Sequence, residues 1–188
     1  MPEQRQPIEA AGKSLGDLAA AIEARGGPPP VDRWNPALCG HSDMRIAGDG
    51  RWFYRGSPID RPAMVRLFAS VLRREPDGSH VLVTPVEKLI IEVERTAFRA
   101  TELTMAGGKE DRRIGLTLDS GDALIVGRQH PLTVVDMEHG PSPRVAVRFG
   151  LEAELDRPLY YELAEIALAE GHDPPGIWSD SAFFPLVP

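Results

Sequence analysis

One cysteine, Cys39, stands in 188 residues. With no second thiol the chain cannot close an internal disulfide, and nothing ties it to an oxidising compartment. Basic charge is also scarce. Lys and Arg number 21 against 28 Asp and Glu, a net charge of −7 with His neutral. That excludes long tracking along a nucleic-acid backbone, which needs a basic face, but leaves room for a small anion held by one or two cations. No apolar run approaches the roughly 18 residues that a membrane helix needs. The stretch LAAAI at 18–22 is short and flanked by Asp17 and Glu23, so it makes a poor signal-peptide core. Catalytic signatures are missing too. There is no G-x-S-x-G, kinase set or zincin motif, and AGGKEDRR has Gly-Gly-Lys without the earlier glycine and following Ser/Thr of a phosphate-binding loop. We therefore expect a cytoplasmic, non-enzymatic protein with no cofactor and no membrane association.

What is present reads as globular: 42% hydrophobic and 26% charged residues are far from the disordered class. Residues 1–30 read as a polar tail and a short helix. In that reading Ser14 would cap it, Leu15, Leu18, Ala19 and Ile22 would make its apolar face, and Gly26-Gly27 followed by three prolines would stop it. MRIAGDGRWFYRGSPI reads as a β-hairpin turning on Asp49-Gly50, with Trp52 and Tyr54 on one face and Phe53 on the other. DRPAMVRLFASVLRRE then reads as a helix. Asp60 caps it, Pro62 sits in its first turn, and Met64, Leu67, Phe68, Val71 and Leu72 repeat at helical spacing. HVLV and KLIIEV are strand-like. Beyond Arg95 short strands and Gly-rich turns predict an antiparallel meander or small barrel. Late in the chain LDRPLYYELAEIALAEG repeats the earlier helix: Asp156-Arg157-Pro158 falls on Asp60-Arg61-Pro62, and Leu163 on Leu67. The match suggests two copies of a hairpin–helix–strands core, at 31–95 and 96–188. Duplicated halves often leave a cleft where small molecules bind.

Four constellations could carry chemistry. Cys39, His41 and Asp43 share a face if extended and are zinc-ligand types, but no second cluster completes a site. We expect Cys39 to be a small buried residue at a strand entrance, and Asp43 to cap or to pair with Arg45 or Arg51. In VTPVEK, Thr84 with Pro85 and Glu87 forms a capping box. A single helical turn there would offer free amides to an anion, with Lys88 as a cation and Glu87 to hold a base, a sugar or Lys88 itself. Trp52 and Tyr54 could stack on a flat ligand, although the bland alternative, half-buried core, is favoured for Trp52. The run Arg128-Gln129-His130-Pro131 could reach into a cleft or be simply solvated.

The segments RWNPALCGHSDMRI, GRWFYRGSPIDR, RLFASVLRREPDGSHVLVTPVEKLIIEV and GRQHPLTV together resemble the proteobacterial family called domain of unknown function 1285 (DUF1285). The resemblance covers roughly residues 30–188. It implies an α+β fold of two domains with a duplicated core, the second half a small antiparallel sheet like a pleckstrin-homology barrel with a helix toward its C-terminal side. It also implies a nucleotide-like ligand between the halves and a role in signalling. Trp34, Cys39, Asp43, Trp52, Tyr54, Thr84, Glu87 and Lys88 match the family pattern, with His130 in a matching loop.

Three functions follow as expectations. The first is a sensor or adaptor in signal transduction, with a signalling protein as partner. It would bind a small anionic ligand through Asp43, Trp52, Tyr54, Thr84, Glu87, Lys88 and His130. The second is a small hydrolase using Asp43, Glu87 and Cys39. The third is a protein-interaction module using the N-terminal helix and the barrel-like half.

Overall fold

The computed structural model describes residues 29–188. The predicted N-terminal helix lies outside the described residues. The chain divides into two compact units, the first ending at Glu94 and the second beginning at Arg95.

The first unit is a six-stranded sheet with one helix. Its elements are β1 (Leu38–Ile46), β2 (Trp52–Tyr54), β3 (Ser57–Pro58), α1 (Pro62–Ser70), β4 (Leu72–Arg74), β5 (His80–Val83) and β6 (Lys88–Val93). The sheet order is β3-β2-β1-β6-β5-β4. The predicted hairpin is present, with Gly50 at φ 87° in its turn and Ile46 opposite Trp52. Positive φ is cheap for glycine, which lets the chain reverse tightly there. At the centre β1 and β6 run parallel.

The helix predicted from DRPAMVRLFASVLRRE is too long at its end: it stops at Ser70. Leu72, Arg73 and Arg74 are strand, because Leu72 pairs with Leu82 and Arg74 with His80. Leu72 and Val71 are fully buried there. Cross-strand pairing and burial outweigh the modest helix preference of Leu and Arg. Nor does Asp60 cap the helix. Arg61 is the N-cap residue, and no side chain bonds there.

The second unit holds β7 (Phe98–Ala106), β8 (Arg113–Leu118), β9 (Ala123–Ile125), β10 (Leu132–Met137), β11 (Gly140–Ala146) and β12 (Glu152–Leu155), then α2 (Arg157–Glu170) and the hairpin β13 (Gly176–Ser179) with β14 (Ala182–Pro185). Its sheet order is β10-β11-β12-β7-β8-β9. Read from the other edge, this is the order of the first sheet with each strand advanced by six. The central pair, β7 with β12, is again parallel. The core of this unit includes Phe98, Ile114, Leu116, Leu118, Leu151 and Leu163, all nearly inaccessible to solvent.

The duplication is therefore real at the level of the sheets. The helices that suggested it are not its carriers: α1 lies between the third and fourth strands of its sheet, whereas α2 follows the sixth. Their shared Asp-Arg-Pro start reflects helix-entry chemistry, since Pro is tolerated where the amide lacks a helical partner. The second sheet also departs from a closed antiparallel barrel. It is open, and its β7–β12 pair is parallel. No local pattern distinguishes a parallel from an antiparallel partner when the pair is distant in sequence.

Candidate functional site

Helix α1 is amphipathic, yet only Ala69 among its residues is buried. The helix stands off the sheet. Its Phe68 ring stacks on Trp52, centroids 6.3 Å apart and planes inclined by 18°. Trp52 itself is core, 5% exposed. Between the helix and the sheet lies a hollow of about 440 Å³. Met64 and Phe68 form its helical side, Ser42, Met44, Leu82 and Leu89 its sheet side, and Tyr54, Pro58 and Ile59 one end. Leu82 and Leu89 are cross-strand partners, which is why they share this face. Arg61 and Asp60 lie at the entrance to α1, and both are exposed.

The β5–β6 turn supplies the remaining polar wall, Thr84 and Glu87. It is a tight hairpin turn and not the helical turn expected, because the Thr84 amide donates to the Glu87 carbonyl at 2.8 Å and closes the ladder. The Thr84 hydroxyl accepts from the Glu87 amide at 3.0 Å and the Val86 amide at 3.4 Å. The amides that could have met an anion are thus already occupied. Lys88 is engaged as well, with its Nζ 3.6 Å from Glu75 Oε2. Glu75 Oε1 also accepts from Arg73 Nε at 2.7 Å. Arg73 Nη1 donates to the Val31 and Trp34 carbonyls at 2.7 Å each. Lys88 and Trp34 therefore belong to a network that fastens the start of the described chain to β4.

Glu87 Oε2 is the exception in this well-satisfied wall. It is buried and has no hydrogen-bond partner. The Ser42 hydroxyl, which also lines the hollow, is used twice: it donates to the Ile90 carbonyl at 2.9 Å and accepts from the Met44 amide at 3.2 Å.

A second, polar groove is lined by His41, Asp43, Arg45, Arg55 and Glu92. Asp43 has φ 56°, a conformation Asp adopts more readily than most residues, within the stretch where β1 slips register against β6. Its carboxylate pairs with Arg55 at 3.2 Å. The partners foreseen for Asp43 have others: Arg45 pairs with Glu94, and Arg51 with Asp49 at 2.7 Å. Cys39 lines neither hollow and is exposed, contrary to the burial expected. Its Sγ donates to the Ala37 carbonyl at 3.3 Å. Asp43, Glu87 and Cys39 thus do not line one hollow. Among the described residues no group of three or more His, Cys, Asp and Glu side chains could hold a metal ion. His130 belongs to the second unit, where its Nδ1 is 2.9 Å from the Ala146 carbonyl.

The structure thus gathers Tyr54, Thr84 and Glu87 at the apolar hollow, with Trp52 behind Phe68. It puts Asp43, Lys88 and His130 elsewhere. Sequence reasoning missed the sheet side of the hollow, Ser42, Met44, Leu82 and Leu89. The alternation of buried residues along these strands marks a buried face but cannot reveal that a helix stands off from it.

Comparisons with known proteins agree with this architecture. Residues 29–96 match the N-terminal domain and residues 97–186 the C-terminal domain of the family described as domain or protein of unknown function DUF1285. The curated proteins contain no match. A DUF1285 family protein from Silicibacter pomeroyi DSS-3 is 44% identical, with a TM-score of 0.82 over 92% of this chain and 94% of that one. A second crystal structure, a DUF1285 family protein from Shewanella baltica OS155, is 23% identical with a TM-score of 0.51, covering 65% of this chain and 90% of that one. At that identity the likeness shows the fold alone. Two domain matches in tandem, and a relative aligned along nearly its whole length, mean that this chain belongs to the DUF1285 family.

Proposed function

We propose that the first unit is a small-molecule-binding module and that the chain works as a non-enzymatic sensor or adaptor in signal transduction. The observation that carries this is the hollow of about 440 Å³ between α1 and the sheet. Its size lies in the range of small-ligand pockets, and its walls are mainly apolar with few polar groups, as such pockets are. A packed core would have closed it, since voids larger than a water molecule are few in protein interiors. The sequence suggests a ligand between the two repeats; this reading puts it inside the first.

A sensor also needs an element whose state depends on the ligand. Helix α1 suits that role. It leaves Met64 39% exposed and rests on the sheet through few buried groups. A ligand filling the hollow would bury the apolar face of α1 and hold the helix. The change would be read on the outer face of α1 by a signalling partner. Ligands shift such an equilibrium only by their differential affinity for the two states, so the helix must be less ordered without ligand.

The test is a thermal-shift screen of the full chain against apolar small molecules, with hits mapped by heteronuclear NMR. A ligand at ~100 times its Kd should stabilise the fold by about 2.7 kcal/mol. We expect shifted signals from Phe68, Leu82 and Leu89, slower amide exchange in α1, and loss of both in Met64→Trp, which fills the hollow from an exposed position. Stabilisation that survived Met64→Trp unchanged, or signals moving only outside the hollow, would refute the placement.

A further inference from the structure

We infer that the ligand of this hollow presents an N–H donor, as an amine, amidine or amino-heterocycle does, and docks it on the Glu87 carboxylate; it is not an anion. The inference rests on the small-molecule reading above and adds the chemical class of the ligand.

Three observations converge on it. The first is the carboxylate itself. Glu87 lines the hollow, and its Oε2 is buried without a hydrogen bond. A buried acceptor left unpaired is costly, and native structures tolerate few. The second is the state of the neighbouring donors. Thr84 and Ser42 are committed to backbone groups, and Lys88, the next residue in the chain, is committed to Glu75. With these side chains bonded elsewhere, a molecule in the hollow can supply the donor that the carboxylate lacks.

The third is the charge of the lining. Its ionisable side chains of fixed sign are Asp60, Arg61 and Glu87. Arg61 and Asp60 are exposed at the entrance to α1, where water screens them. Glu87 alone brings a carboxylate oxygen to a buried position in this wall. An anion pushed against it would meet like charge in an environment of low dielectric, where repulsion is strong. A cationic or neutral N–H donor meets the opposite: a charge-assisted hydrogen bond shielded from water. The rest of the molecule then lies against Met44, Phe68, Leu82 and Leu89. Methionine at two places on the wall, Met44 and Met64, gives it latitude in shape. The ligand class is therefore a compact apolar or aromatic body with one N–H group.

Benzamidine, acetophenone and benzoate test this as a matched set: one shape, carrying respectively a cationic N–H donor, a neutral acceptor and an anion. Each is titrated into the full chain and followed by heteronuclear NMR. We expect benzamidine to bind tightest, to move the signals of Glu87, Phe68 and Leu82, and to lose about 10- to 100-fold in affinity in Glu87→Gln, the range of a hydrogen bond to a charged group. Acetophenone should bind more weakly and be indifferent to that substitution. Benzoate binding as tightly as benzamidine, or benzamidine affinity unchanged in Glu87→Gln, would overturn the ligand class and leave the pocket standing. No response to any of the three up to their solubility limits would overturn the pocket and the ligand class together. If Glu87→Gln does not fold, the ranking of the three probes on the unaltered chain still decides.

Discussion

The Thr84 hydroxyl accepts the amide hydrogen of Glu87 at 3.0 Å, and so fixes the backbone of a residue whose own Oε2 has no partner. The turn is well bonded, and the side chain it presents is not. Such a division is expected where a group is kept ready for a ligand at some cost in stability. Glu87→Met, similar in length and without the carboxylate, should therefore raise the stability of the ligand-free protein by about 1 kcal/mol. Urea unfolding would show a higher midpoint at an unchanged slope. Thr84→Val should do the reverse and cost about 1–2 kcal/mol, because two amides of the turn lose their acceptor.

Arg73 ties the start of the described chain to the first sheet. Its guanidinium bonds the carbonyls of Val31 and Trp34 and the carboxylate of Glu75, with its side chain 13% exposed. We expect Arg73→Met to destabilise the first unit by about 2 kcal/mol, since it takes a charged donor from two carbonyls and leaves the largely buried Glu75 carboxylate with Lys88 as its one cation. Arg73→Lys should recover only part of this, because an ammonium lacks the planar fork that reaches three acceptors. Denaturant unfolding of the two variants measures both effects.

Ser179 is the corresponding joint in the second unit. Its hydroxyl accepts from the Ile114 amide at 3.0 Å and donates to the Val126 carbonyl at 2.6 Å, with no exposure to solvent. It thereby bonds β13 to β8 and to the residue after β9. Ser179→Ala should cost about 2 kcal/mol, more than a lone hydroxyl is worth, because two buried backbone groups are left unpaired. Faster exchange of the Ile114 amide would locate the damage.

The stability of the second unit should fall in acid through Glu170. A hydrogen bond from Arg112, whose side chain is 9% exposed, is the main cause that lowers the Glu170 pKa below its ordinary value of 4.5. A carboxyl whose pKa is depressed by folding contributes stability that is fully present above the unfolded pKa. It is lost as pH falls from about 4.5 through the folded value. Glu170→Gln should be less stable at pH 7 and show a flatter loss below pH 5. A pH series of thermal midpoints for both proteins reads this directly. Equal slopes in the two proteins would assign the acid sensitivity to other carboxylates.

Much of the first unit was legible in its residues. Asp49-Gly50 announced the hairpin because positive φ at that turn selects glycine. Trp52 announced core because a large apolar ring on the inner face of a strand is stabilised by burial. Two misreadings share a cause. Leu72-Arg73-Arg74 continue a helical pattern without a break, and only the pairing of Leu72 with Leu82 makes them strand. Asp60 and Asp156 both look like helix caps, yet the Asp156 carboxylate bonds Arg99 at 2.9 Å and neither side chain bonds the helix amides. Local chemistry proposes a role, and a partner distant in sequence replaces it.

The candidate site divides along the same line. The sequence by itself determined that Thr84, Glu87 and Tyr54 sit at turns and strand ends, because capping residues, prolines and alternation act over a few positions. It also determined the two-domain α+β character, from the order of short strands and helices. Only the tertiary structure decided that Lys88 belongs to Glu75, that the duplicated sheets share a parallel central pair, and that α1 stands off its sheet above a hollow. Those outcomes depend on which distant surfaces meet. Contact free energy is set by three-dimensional packing, and a local pattern holds no record of it.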